Sequence, residues 1–236
     1  MKMKRLVSWL LALILAGGLL ACNNGCGATD PVVINYNITQ PIKQHSQVEV
    51  LKKYNVIVHR ERKAVCGGTI IFSDKNKTQV LTATHCIMDD LQVPMSYGLI
   101  NVGDGELYRV KVVRFHRAQD LALLETTDKI KPQKTAPIAR LAPVFGDEVW
   151  AIGYGAAVED AVSKGIVSKT DSTGHMGTHV MQLDITGWYG NSGGGIYNKD
   201  FELVGVMIEF GPQGGRMSGW MYATHLVEII KFLNGE

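Results

Sequence analysis

Residues 80–86 have the sequence Val-Leu-Thr-Ala-Thr-His-Cys, a β-rich run that leads directly to His85. Short β-rich runs of this kind recur along the chain, with turn residues between them. They lie at Asn55–His59, Thr69–Phe72, Gln79–Thr82, Leu107–His116, Leu121–Glu125, Glu148–Gly153, Val162–Lys169, His179–Thr186, Leu203–Phe210 and Trp220–Thr224. This pattern predicts an all-β sandwich or barrel, because helical segments do not alternate with the strands. Only residues 224–233 have the spacing of an amphipathic helix, and Asn234-Gly235 is a typical helix end.

The composition is that of a globular protein with no preference for nucleic acid. Of the 236 residues, 46% are hydrophobic and 19% are charged. Three of the 24 basic residues lie within the first five positions, and without them 24 − 3 = 21 basic residues face 22 acidic ones. This near-neutral balance gives no support for a nucleic-acid partner.

The amino-terminal segment has the pattern of an export signal. Residues 1–5 carry positive charge, and residues 6–20 are apolar apart from one serine and two glycines. The apolar run is shorter than the roughly 20 residues that cross a bilayer. We therefore predict a signal peptide at 1–21, with a retained transmembrane anchor as the alternative.

The sequence Leu19-Leu20-Ala21-Cys22 resembles the lipobox of bacterial lipoproteins, although Leu20 replaces the usual small residue. The resemblance implies that Cys22 is lipidated and that the protein is exported and anchored to a bacterial membrane, facing the periplasm or the cell exterior. An ordinary secretory signal cut nearby is the alternative. Residues 22–47 are rich in Asn, Gly, Thr, Gln and Pro, which predicts a flexible tether before a folded domain at 48–236.

Ser192 is a candidate nucleophile, because it lies in Gly190-Asn191-Ser192-Gly193-Gly194. A serine hydroxyl needs a base, a group that orients the base, and donors for the oxyanion. Glycines permit a sharp turn and close approach of a substrate, and the amides of Gly190 and Ser192 are candidate oxyanion donors. By itself a glycine-rich turn with a serine also suits an ordinary loop.

Two further motifs resemble those of the trypsin-like serine peptidases. Residues 80–86 resemble the family's histidine motif, Asp120-Leu121-Ala122-Leu123-Leu124 resembles its aspartate motif, and the order His, Asp, Ser is also the family's. The resemblance extends from Tyr54 to the carboxyl end. It implies two packed six-stranded antiparallel Greek-key barrels with a C-terminal helix, and a serine endopeptidase acting on proteins or peptides. His85 is then the general base, Asp120 orients it, and no cofactor is needed.

Two functions from other classes stay open: an inactive peptidase-fold lipoprotein that binds a partner, and an esterase. The resemblance also implies a Cys66–Cys86 disulfide, with two free thiols as the alternative, and leaves Cys26 unassigned. The remaining histidines show no metal-ligand spacing, so no metal site is predicted.

Substrate preference is inferred from the segments that wall the acyl-side pocket in this family. The predicted pocket residues are Thr186, Gly187, Tyr189, Glu209, Phe210 and Trp220. Thr186 stands where trypsin has a carboxylate, and Phe210 and Trp220 would shorten the pocket. We therefore predict cleavage after small or medium apolar residues, with Glu209 as a possible attractor of basic side chains.

The activation mechanism is also inferred from the resemblance. Asn191 stands where zymogen-activated members carry aspartate, and the Ile-Val-Gly-Gly start of such members is absent. In both respects the chain is similar to bacterial HtrA-type and related exported or viral peptidases, without residues for a PDZ domain. We expect activity without proteolytic activation.

Overall fold

In the computed structural model, the described residues are 44–236 except 61, 89–92, 174–178 and 214–215. The predicted signal peptide, Cys22, Cys26 and the tether up to residue 43 lie outside them. The described residues belong to one compact unit. Among the described helices, none is both long enough and apolar enough to cross a bilayer.

Six strands form the first barrel. They are β1 (Asn55–Arg60), β2 (Lys63–Ser73), β3 (Thr78–Thr82), β4 (Tyr97–Asn101), β5 (Tyr108–His116) and β6 (Leu121–Thr126). The strands close in the order β1-β2-β3-β6-β5-β4, and every neighbouring pair is antiparallel. Its interior is filled by buried side chains such as Val80, Ile100 and Val110, which are fully shielded from solvent.

A second barrel of the same kind follows. Its strands are β7 (Glu148–Gly153), β8 (Ala161–Thr173), β9 (His179–Asp184), β10 (Gly195–Tyr197), β11 (Leu203–Gln213) and β12 (Arg216–His225). They close antiparallel in the order β10-β11-β12-β9-β8-β7. The predicted all-β fold with two six-stranded antiparallel barrels is confirmed.

The two barrels pack through a third apolar cluster. Leu81 of the first barrel and Ile152 and Tyr197 of the second are buried together in it. The Tyr197 hydroxyl lies 3.2 Å from Thr69 Oγ1 across this interface, and burial raises the pKa of Tyr197. Because this hydrogen bond satisfies a fully buried phenol, it contributes to holding the barrels in a fixed relation.

Helix α2 (Leu226–Asn234) confirms the predicted C-terminal helix. The side chain of His225 caps its first turn by accepting from the Val227 amide at 3.2 Å. Gly235 ends it in the left-handed conformation that glycine adopts most easily.

The sequence prediction missed helix α1 (Gln44–Lys52) and the short strands β4 and β10. Helix α1 crosses the boundary predicted between tether and domain at 47/48. Its sequence lacks a clear helical period, and burial of Leu51 against the core determines its position. Strand β10 has three residues and follows the glycine-rich turn, which gives too little periodicity to predict a strand.

Candidate active site

The topology of the first barrel brings His85 and Asp120 to one edge. Strand β3 leads to His85, strand β6 begins directly after Asp120, and the two strands are antiparallel neighbours with Thr82 opposite Ala122. The end of one strand therefore meets the beginning of the other. Asp120 adopts a left-handed backbone conformation with φ of 51°, an uncommon state for a residue other than glycine.

The carboxylate of Asp120 holds His85 at two points. Asp120 Oδ2 lies 2.6 Å from His85 Nδ1, and Asp120 Oδ1 accepts from the His85 backbone amide at 3.0 Å. Asp120 is buried, with 7% of its surface exposed, so solvent competes little for these bonds. Because a carboxylate accepts, the proton lies on Nδ1, and Nε2 is the ring nitrogen available for proton exchange.

The loop that carries Asp120 is held by the second barrel and by helix α2. Thr224 Oγ1 on β12 donates to the Gln119 carbonyl oxygen at 2.9 Å, and Gln119 Nε2 donates to Glu228 Oε2 at 2.8 Å. Burial by itself would raise the pKa of Glu228, but hydrogen bonds from Lys231 and Gln119 outweigh it and the pKa lies below its usual value. Glu228 is therefore a charged acceptor at neutral pH, which strengthens the support of the Asp120 loop.

Backbone hydrogen bonds clamp the Ser192 turn between the barrels. The Gly67 amide on β2 donates to the Ser192 carbonyl oxygen at 2.8 Å, and the Gly193 amide donates to the Met207 carbonyl oxygen at 2.7 Å. Thr82 Oγ1 in turn donates to the Gly67 carbonyl oxygen at 2.8 Å. A short chain of bonds thus connects the strand that leads to His85 with the turn that carries Ser192.

The Ser192 hydroxyl points to a backbone acceptor in this structure. Ser192 Oγ donates to the Ile208 carbonyl oxygen at 3.4 Å, and no hydrogen bond joins it to His85 within the described part of the chain. Hydrogen bonds between a catalytic hydroxyl and its base are often long without substrate and shorten only when substrate is bound. A rotation of the Ser192 side chain is the movement that proton transfer to His85 would require.

The two candidate oxyanion donors lie in the same turn. Gly190 has φ of 96°, and a Cβ there would collide with the Tyr154 carbonyl oxygen. Among the hydrogen bonds of the described residues, none has the Gly190 or Ser192 amide as donor. Both amides are therefore without a competing acceptor from the described chain.

A cleft of about 450 Å³ connects these residues. It is lined by Arg60, Val65, Cys66, His85, Cys86, Tyr189, Gly190, Ser192 and Ile208. The predicted Cys66–Cys86 disulfide is present and forms part of its wall. Sequence reasoning missed Arg60 and Val65, and no local motif marks them, since they reach the cleft only through the pairing of β1 with β2.

Of the six residues predicted for the acyl-side pocket, Tyr189 lines this cleft. Thr186 is exposed, and Gly187 packs against Met221 so closely that a Cβ would collide with the methionine side chain. Trp220 is 41% exposed and pairs with Asp184 on β9. Glu209 and Phe210 belong to β11, and their side chains lie outside the described part of the structure.

One group of side chains in the described residues has ligand atoms close enough to share a metal ion. It consists of Cys66, His85 and Cys86, whose ligand atoms lie within 4.8 Å of one another. Cysteine binds metals as the thiolate, and here both sulfurs are joined in the disulfide. In this oxidised form only His85 offers a conventional ligand atom.

Comparison with known proteins identifies similar sequences. The family model described as "Trypsin-like peptidase domain" matches residues 66–206. The chain is 34% identical over 158 residues to "Putative protease Do-like 14" of Arabidopsis thaliana, covering 62% of this chain and 35% of the relative. It is 30% identical over 177 residues to "Probable periplasmic serine endoprotease DegP-like" of Pseudomonas putida (strain W619), covering 74% of this chain and 35% of the relative.

A third relative is "Serine endoprotease DegS" of Escherichia coli (strain K12), which is 28% identical over 181 residues, covering 75% of this chain and 45% of that protein. The chain therefore spans between about a third and just under half of the length of these relatives.

Proposed function

Because the chain belongs to the trypsin-like peptidase family, we propose that it is a serine endopeptidase with Ser192 as nucleophile, His85 as general base and Asp120 as the group that orients the base. One observation carries the proposal: the 2.6 Å contact between His85 Nδ1 and Asp120 Oδ2, in the cleft that Ser192 also lines. It is the geometry that a base needs to be held in one tautomer.

In the proposed acylation step, Ser192 Oγ turns from Ile208 towards His85 and attacks the carbonyl carbon of the substrate. His85 Nε2 takes the hydroxyl proton, and Asp120 stabilises the resulting imidazolium. The carbonyl oxygen becomes an oxyanion that accepts from the amides of Gly190 and Ser192. His85 then gives its proton to the leaving amine, the C–N bond breaks, and an acyl-enzyme ester on Ser192 is left.

In the proposed deacylation step, a water molecule enters the site of the departed amine. His85 takes a proton from the water, whose oxygen attacks the ester carbon, and the same amides of Gly190 and Ser192 again accept the oxyanion. Breaking of the ester bond returns the proton to Ser192 Oγ and releases the carboxylic acid. No metal or organic group takes part in these steps.

Labelling with a fluorophosphonate probe tests this proposal. Only an activated serine reacts with the probe, so labelling of Ser192 separates an enzyme from an inactive protein of the same fold that binds a partner. Cleavage of an unfolded protein, set against hydrolysis of small esters, separates an endopeptidase from an esterase.

We also propose a preference for small or medium apolar residues on the acyl side of the cut bond. Thr186 supplies no charge where a basic side chain would need a carboxylate, and the buried Ile208 adds an apolar surface to the cleft. Phe210 and Trp220 are large residues in segments that wall such pockets.

A peptide library is therefore expected to give cuts after Ala, Val or Leu. Discrimination among these residues should be only about 1 to 3 kcal/mol, because apolar pockets distinguish single methylene groups weakly. The cut sites are read by mass spectrometry, with Glu209→Gln as a comparison variant. A profile dominated by Arg and Lys in the wild type and lost in Glu209→Gln would contradict the apolar preference.

We further propose that Cys22 carries a lipid that anchors the exported protein to a bacterial membrane, with residues 22–43 as part of the connection to the folded domain. The support is the lipobox-like sequence before Cys22, together with the Pseudomonas relative, which is named as a probable periplasmic protein. The peptidase domain would then act outside the cytoplasm, where a disulfide such as Cys66–Cys86 persists.

Replacing Cys22 with serine is expected to move the processed protein from the membrane fraction to the soluble fraction, since the lipid on Cys22 is the anchor proposed for the processed protein. Cys26→Ser is the matched control, because it removes a thiol four residues away and should leave the protein with the membrane. Fractionation and immunoblotting measure both. A processed Cys22→Ser protein that stays with the membrane would contradict the proposed anchor.

A further inference from the structure

One cluster of possible metal ligands lies in the wall of the cleft. It consists of Cys66, His85 and Cys86, which all line the cleft and whose ligand atoms lie within 4.8 Å of one another. Ligand atoms around one zinc ion are roughly 3 to 4 Å apart, because Zn–N and Zn–S bonds are about 2.0 to 2.3 Å long. Small rotations of these three side chains would therefore bring their ligand atoms around one ion.

The disulfide determines whether the two sulfurs can act as ligands. Cysteine binds metals as the thiolate, so the bonded sulfurs of Cys66 and Cys86 must first be reduced. A dithiol gives two electrons and two protons to the S–S bond, which breaks into two thiols while the dithiol becomes a disulfide. Zn²⁺ then replaces the two thiol protons, which pass to solvent. The Cα atoms of the two cysteines are 6.0 Å apart, which leaves room for sulfurs about 3.8 Å apart in a tetrahedral zinc site.

The backbone around the three residues has supports that do not involve the sulfurs. Cys66 lies in the part of strand β2 that pairs with β1. His85 and Cys86 share one short 3₁₀ turn, which begins at Thr84. Thr84 Oγ1 fixes this turn by donating to the Leu121 carbonyl oxygen at 2.6 Å, and both residues are buried. We therefore expect the three ligands to stay close together after the disulfide is reduced.

We infer that reduction of the Cys66–Cys86 disulfide creates an inhibitory zinc site, with both sulfurs, one ring nitrogen of His85 and a water molecule as ligands. Two thiolates and an imidazole are a donor set typical of zinc, and the two negative charges balance that of the ion. At Nε2 the metal occupies the lone pair that would accept the Ser192 proton, and at Nδ1 it displaces Asp120. Either mode removes the base. The inhibition rests on the proposed peptidase function, whereas the metal site does not.

Metal binding is tested on the processed chain with Cys22→Ser and Cys26→Ser, because Cys66 and Cys86 are then its only cysteines. A phosphine, which takes up an oxygen atom from water, reduces the disulfide. Co²⁺ serves as a coloured probe of the site. The reduced chain is expected to bind one Co²⁺, with absorption from sulfur-to-cobalt charge transfer that disappears when Zn²⁺ is added. The oxidised chain should show no such absorption.

Inhibition is tested by peptide cleavage and by fluorophosphonate labelling of the same chain. At free zinc about ten times the dissociation constant, both rates of the reduced chain should fall about tenfold, since only one molecule in about eleven is without metal. A chelator should restore them, and the oxidised chain should keep its rates at the same zinc concentration. The matched control adds Cys66→Ala and Cys86→Ala, which remove both thiolates and should abolish the zinc effect under the reductant.

The comparison of the oxidised and reduced chains stands even if the control variant fails to fold. A reduced chain without the cobalt–sulfur absorption would overturn the metal site, and so would loss of the fold on reduction, measured by circular dichroism. Equal effects of zinc on the oxidised and reduced chains, or a zinc effect that persists in a folded control variant, would overturn the inhibition. If neither form cuts peptides or takes up fluorophosphonate, the proposed function fails, and the cobalt measurement still decides the metal site.

Discussion

Replacing Ser192 with alanine is expected to lower kcat/KM for peptide cleavage by about 10⁴-fold or more, to the level that binding and oxyanion stabilisation alone provide. The reason is that the acyl-enzyme cannot form without the hydroxyl. Initial rates on a peptide from the library measure the loss, and circular dichroism confirms that the variant is folded. Ser168→Ala is the matched control, because Ser168 on strand β8 also donates its hydroxyl to a backbone carbonyl oxygen, that of Gln182 on β9.

The triad proposal further requires that the losses of activity in the single variants Ser192→Ala and His85→Ala do not add in the double variant. His85→Ala removes the base that activates Ser192, so it should lose about as much activity as Ser192→Ala, and the double variant should lose little more. Fluorophosphonate labelling should disappear in each of these variants and persist in Ser168→Ala. Near-native cleavage by Ser192→Ala would show that another residue is the nucleophile.

Gly193→Ala is expected to destabilise the protein by about 3 kcal/mol and to reduce activity by about 100-fold or more. Gly193 has φ of 80°, and a Cβ there would collide with Thr82 Oγ1 and with the Gly67 carbonyl oxygen. These two atoms form the hydrogen bond that links the His85 strand to the serine turn. The added methyl group must therefore push the two barrels apart or shift Ser192 relative to His85.

Gly146→Ala separates the destabilisation caused by backbone strain from the destabilisation caused by the collision of the added methyl group. Gly146 has φ of 87°, and a Cβ there would meet no atom within 4 Å, so this variant bears the left-handed backbone strain without a collision. We expect it to lose about 1 kcal/mol of unfolding free energy and to keep its activity. Urea denaturation measures both variants. Equal destabilisation of Gly193→Ala and Gly146→Ala would mean that the serine turn is not clamped against the first barrel.

The sequence was sufficient where the information is local. Short β-rich runs with turn residues between them predicted ten of the described strands, and motif order around His85, Asp120 and Ser192 indicated the candidate catalytic groups. The disulfide followed from the same resemblance, which implies a bridge between cysteines placed as Cys66 and Cys86 are. These features depend on residues close together in the chain or on motifs that carry their own chemistry.

The tertiary structure alone determined which distant residues meet. Arg60 and Ser192 line one cleft although 132 positions separate them, and Ile208 accepts from the Ser192 hydroxyl because β11 passes behind the serine turn. Helix α1 has little helical period of its own and is held by the burial of Leu51. Local patterns do not encode these contacts, since each depends on the free energy of packing two barrels together, a property of the whole chain.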